Sequence, residues 1–117
     1  MTVIVARTDT PESAAALRAG VEEARLRDED LVVFNLDGVQ LDPTDEHLDG
    51  VPVSFEVPGP HDRDAVGSLL DAAARHGASR LVIGVKHRTP TGKLLFGSMA
   101  QKLLLEASVP VLAVKPS

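Results

Sequence analysis

Four short apolar runs constrain the fold of this chain more than any other feature: Val3 to Ala6, Leu31 to Leu36, Leu81 to Ile83 and Val111 to Val114. They carry almost no polar-apolar alternation. Each therefore expects apolar neighbours on both faces, as interior strands of a parallel sheet have. The intervening segments carry apolar residues at helical spacing. The first opens with Thr10 as N-cap, Pro11 at the first helical position and Glu12 in the first turn, and Ala14, Leu17, Val21 and Ala24 are expected to face the sheet. A second helix is expected from about Asp62 to His76, with Val66, Leu69, Leu70 and Ala73 inward and Gly77 as its terminator. In a third, Ser98 stands three residues before Gln101, the spacing of a capping box. Ala100, Leu103, Leu104 and Ala107 form its inner stripe, and Pro110 stops it.

Between the second and third strands, Asp37 to Gly50 is acidic and without period, with a short helix expected at Asp42-Pro43. Val51, Val53, Phe55 and Val57 then alternate with polar residues or proline, the period of a half-exposed strand, and Pro52 favours the sheet edge. Strands alternating with helices imply a doubly wound α/β fold: a five-stranded parallel sheet with helices on both faces. In the flavodoxin-like order 3-2-1-4-5 the winding reverses between strands one and four. The crevice there is where open α/β sheets take ligands.

At 117 residues the chain is expected to form one domain, residues 1–117. It has no cysteine and no apolar run long enough for a signal peptide or membrane span, so the expectation is a cytoplasmic protein away from membranes. Residues 1–71 carry five Arg against sixteen Asp and Glu, while residues 72–117 carry seven Lys and Arg against Glu106 alone, so the net charges are −11 and +6. That asymmetry marks either an anion-binding face or two solvated surfaces. With Phe34, Phe55 and Phe96 as the only aromatic residues, no stacking platform for nucleic acid is expected.

The loop Gly84 to Ser98 lies in the basic part. Gly84 is expected to let the chain turn sharply out of the sheet, and Ser98 to open a helix whose free N–H groups point back into the loop. Together with Lys86, Arg88 and Lys93, those donors suit an anion, most naturally phosphate. Each residue also has a plainer role, as turn, cap or solvated surface. Thr91-Gly92-Lys93 fails as a phosphate loop of the nucleotide hydrolases, because Leu94 follows where Ser or Thr would hold Mg²⁺. His47, His61, His76 and His87 have no metal-ligand spacing, and no catalytic residue is expected.

Gly84, Gly97 and Ser98 fall on a pattern that resembles the glycine signature of the universal stress protein family, with His87 at its second glycine. The stretch Val5 to Ser13 is similar to that family's opening, with Thr8 at the position of an Asp that contacts adenine and Asp9 one place later. The resemblance implies the adenine nucleotide alpha hydrolase-like fold and a non-catalytic stress-response role. It also implies a homodimer paired through Val111, Leu112, Ala113 and Val114. The implied ligand is ATP, with Mg²⁺ only alongside it, held by Thr8, Asp9, Gly84, Lys86, His87, Arg88, Lys93, Gly97, Ser98 and Met99. Replacing the Asp and the glycine costs roughly 1.5–3 kcal/mol each, on the order of a hundredfold in affinity, so weak binding is expected. The alternative is a protein-interaction module that has lost nucleotide binding.

Overall fold

A computed structural model describes residues 1–8, 11–36, 47–48, 50–59, 64–88, 94–95 and 98–115, with backbone alone at 11–12, 47–48, 86–88, 94–95 and 98–99. The first strand, β1 (Thr2–Arg7), leads into α1 (Pro11–Arg27) and back into β2 (Asp30–Asn35), which lies parallel to β1. The reversal uses Asp28 at φ 55°, a left-handed position that aspartate tolerates better than most side chains.

Two short strands follow, β3 (His47–Leu48) and β4 (Val51–Glu56). They pair antiparallel, with Gly50 at φ 81° just before β4. A glycine at positive φ suits such a tight reversal between two strands. β4 pairs parallel with β2, so Pro52 lies opposite His47 rather than on an open edge. This corrects the edge expected for that proline, and its missing N–H is tolerated at the end of so short a ladder. The expected helix at Asp42-Pro43 lies outside the described residues.

Helix α2 (Ala65–His76) starts at Asp64, whose side chain accepts from the Val66 N–H, and ends at Gly77 in the left-handed conformation. Next come β5 (Ala78–Gly84), a small antiparallel ladder of β6 (Lys86–Arg88) with β7 (Leu94–Leu95), α3 (Ser98–Glu106) and β8 (Val111–Val114). The main sheet runs β3-β4-β2-β1-β5-β8. Its five parallel members stand in the expected order 3-2-1-4-5, with β3 added antiparallel outside.

Each face of the sheet has its own core. On one face Val3, Val5, Leu31, Val33 and Val82 are buried with Ala16, Val21 and Ala24 of α1. On the other, Ile4, Ala6, Val32, Phe34, Leu81 and Ile83 are buried with Val66, Leu69, Ala72 and Ala73 of α2 and Ala100 and Leu103 of α3. The strict alternation of β1 between the two clusters follows from strand period two.

Two helix faces differ from expectation. Ala14 is exposed, and the inner face of α1 near β1 is built from Ser13, Ala16 and Gly20. Small residues let the helix sit close to the sheet, so nearness and not hydrophobicity decides which side turns in. Leu104 is 40% exposed while Leu103 is 1% exposed, because Leu103 is the one packed into the cluster with β5 and α2.

Candidate functional site

The C-terminal ends of β1 and β5 lie side by side. Val5 pairs with Val82, and two residues further on Arg7 and Gly84 end the two strands. On its other side β1 pairs with β2, Arg7 opposite Asn35. The connection β1-α1-β2 winds one way from β1 and the later strands lie the other way, so the chain reverses its winding between β1 and β5. This is the topological switch point of an open α/β sheet.

Three helices begin at this end of the sheet. α1 follows β1 after only three residues. Ala100, in the first turn of α3, shares a buried cluster with Ala6 and Ile83, the penultimate residues of β1 and β5. Asp64, the cap of α2, receives Lys102 Nζ at 2.7 Å and so ties the start of α2 to α3. The Lys102 ammonium, foremost, holds the Asp64 carboxyl below its ordinary range, with help from the Val66 and Gly67 N–H groups and against partial desolvation. Its bond to Asp64 in turn raises Lys102.

Thr8 stands at the rim of β1. Ser13 Oγ accepts from the Thr8 N–H at 2.9 Å and lies 3.0 Å from Thr8 Oγ1. Ser13, only 5% exposed, thereby folds the first turn of α1 back onto the strand end. Thr8 places a hydroxyl here and no carboxylate, and that hydroxyl is shared with Ser13. Asn35 is a buried polar side chain at the end of β2, on the rim beside Arg7.

Gly84 does not turn the chain as expected. It stays within β5, paired with Val114, and the buried Val85 continues the ladder by donating its N–H to the Val114 carbonyl at 2.9 Å. The direction changes later, where Lys86 pairs with Leu95 and Arg88 with Leu94. Part of the basic loop is thus a hairpin, its backbone groups already engaged. Lys86, His87 and Arg88 are its first strand, and Ser98 and Met99 open α3. Asp9, Lys93 and Gly97 lie outside the described residues. Thr8 and Gly84 are therefore brought to one rim, as strand order requires.

Sequence reasoning missed Ser13, Asn35, Asp64 and Lys102 at this end of the molecule. A signal existed for two of them. A polar residue closing an otherwise apolar strand marks Asn35, and Asp two residues before an apolar helical run marks Asp64 as a cap. Among the described residues, no group of three His, Asp or Glu side chains is placed to hold a metal ion, and no helix is long and apolar enough to cross a membrane.

An open parallel sheet with helices on both faces and a crevice beside its first strand defines the chain as an α/β protein of the doubly wound class. A model of the universal stress protein family matches residues 46–115. A universal stress protein of Mycolicibacterium smegmatis is 40% identical, over 97% of each chain. The solved structure of a universal stress protein from Archaeoglobus fulgidus superposes with a TM-score of 0.74 at 28% identity, covering 98% of each chain. A universal stress protein from the same organism, solved in complex with dAMP, superposes with a TM-score of 0.67 at 23% identity and 98% coverage of each chain. This chain belongs to the universal stress protein family.

Proposed function

We propose that this protein is a non-catalytic, cytoplasmic stress-response domain that binds a nucleoside phosphate weakly between the ends of β1 and β5. The observation that carries the reading is the pairing of β1 with β5 beside the start of α3, which brings Thr8, Gly84 and the helix opened by Ser98 to one rim. A structural relative bound to dAMP supports the same ligand class. ATP is the ligand to test first, with Mg²⁺ entering only as its counter-ion. The predicted contacts are Thr8, Asp9, Gly84, Lys86, His87, Arg88, Lys93, Gly97, Ser98 and Met99.

The protein works as a homodimer. β8 ends the sheet with Ala113 exposed and Val111, Leu112 and Val114 only half-buried, an apolar edge that a second copy would cover. Titration calorimetry with ATP, AMP and inorganic phosphate, with and without Mg²⁺, tests the ligand. Saturable binding in the high micromolar to millimolar range, abolished by Gly97→Val, is the expected result. No heat of binding at millimolar nucleotide would reject it.

A second reading, an interaction module without a nucleotide, draws on two observations. Thr8 shares its hydroxyl with Ser13, and the pairing of 86–88 with 94–95 occupies backbone groups of the loop. Under that reading Thr8→Asp leaves the protein still blind to ATP.

A further inference from the structure

Arg7 differs from four arginines at the other end of the sheet. Arg25 pairs with Glu22, Arg27 and Arg80 with Glu23, and Arg75 with Glu56. Arg7 is half-buried, and among the described residues its guanidinium makes no hydrogen bond or ion pair. Its backbone is firmly held: the carbonyl accepts from the Leu36 N–H at 2.8 Å, and the residue is in register with the buried Asn35.

The alternation of β1 puts Arg7 on the face of Val3 and Val5, the face that α1 covers. Beyond Val82 on the neighbouring strand, the corresponding position is Gly84, which has no side chain to fill the space. Arg7, whose guanidinium carries five donors, thus sits on the α1-covered face at the rim, level with a strand end that has no side chain there. A partly desolvated charge without a partner is costly, and such cations are usually paired. A planar fork of donors suits the oxygens of a phosphate or a similar oxyanion.

We propose that Arg7 is an anion-binding residue of the crevice, taking a phosphate or other small oxyanion between the ends of β1 and β5 beside Gly84. This rests on the crevice being the ligand site, and deepens it. Where Thr8 replaces a carboxylate and Arg7 adds a cation, the rim of β1 is equipped to select for the charge of a ligand in preference to its base. Binding is then led by the phosphate, whether free or carried on a nucleoside.

The test compares inorganic phosphate, AMP and adenosine on the full chain, wild type against Arg7→Gln and Arg7→Lys, by titration calorimetry and by the NMR signal of the Arg7 guanidinium. Phosphate and AMP are expected to bind the wild type and to lose at least tenfold in affinity in Arg7→Gln. Arg7→Lys should retain part of the affinity, adenosine should not distinguish the variants, and the Arg7 signal should shift on adding phosphate. If AMP binds Arg7→Gln as tightly as wild type and Gly97→Val abolishes that binding, the inference falls and the crevice reading stands. If phosphate needs Arg7 while ATP and AMP bind no better than phosphate, the inference stands and the nucleotide reading falls. If the wild type binds none of the three, both fall. Should Arg7→Gln not fold, the wild-type guanidinium signal decides: unmoved at saturating phosphate, it overturns the assignment.

Discussion

Gly20 of α1 lies against Val5 of β1 with no room for a side-chain atom between them. A Cβ at Gly20 would overlap Val5 Cγ2 and touch Leu31 Cδ1 at 3.5 Å. Val5 is fully buried and β-branched, so it has little freedom to rotate away. Overpacking costs about 1–3 kcal/mol, against a gain in helix propensity of about 1 kcal/mol. Gly20→Ala is therefore expected to lower stability by up to about 2 kcal/mol in urea unfolding. Adding Val5→Ala should recover part of that loss, so the double variant is more stable than the summed single effects predict. Simple additivity would show that the helix and strand do not meet there.

The bond between Lys102 and Asp64 predicts a pH dependence at each end of the scale. The Asp64 carboxyl is depressed, so its contribution is fully present above the unfolded value of about 3.9 and disappears as pH falls through the lower folded value. Lys102 is raised, so its contribution is full below about 10.4 and disappears as pH climbs through the higher folded value. Both side chains are about half exposed, so high salt should weaken the effect. In a carbon-detected NMR titration, Asp64 should titrate below an ordinary aspartate and move upward in Lys102→Met. An unchanged Asp64 titration in that variant would contradict the pairing.

The edge at β8 predicts a concentration-dependent dimer. Leu104 and Leu105 on α3 are 40% and 82% exposed, and Ala113 on the strand is exposed as well. Ala113→Glu would place like charges near each other across a strand-to-strand contact, which is unfavourable. Analytical ultracentrifugation should show a dimer for the wild type and a monomer for the variant at the same micromolar concentration. Equal sedimentation of the two proteins would mean that the contact lies elsewhere.

The parallel strands were legible because burial on both faces demands apolar residues at every position, and Val3 to Ala6, Leu31 to Phe34 and Leu81 to Ile83 meet that demand. Their order alone implies that Thr8 and Gly84 lie on one rim. The inner face of α1 was not legible: glycine, alanine and serine are chosen there for size, and a reading by hydrophobicity turns Ala14 inward by mistake. Leu103, Leu104 and Leu105 are equally apolar, and only the packing of α3 against β5 and α2 decides that Leu103 is the buried one. β3 was missed because its hairpin signal, Asp49-Gly50, is embedded among acidic residues that read as a loop. Arg7 gives no signal in the sequence, since what surrounds a guanidinium is a fact of three dimensions.

The ladder between 86–88 and 94–95 sets a threshold on anything that needs those backbone groups. Such a ligand must first unzip the hairpin, and its apparent dissociation constant rises by the reciprocal of the fraction already open. Under the proposed function, a site built this way would answer to abundance: silent to scarce nucleotide and filled only when the pool is large, as a gauge and not as a scavenger.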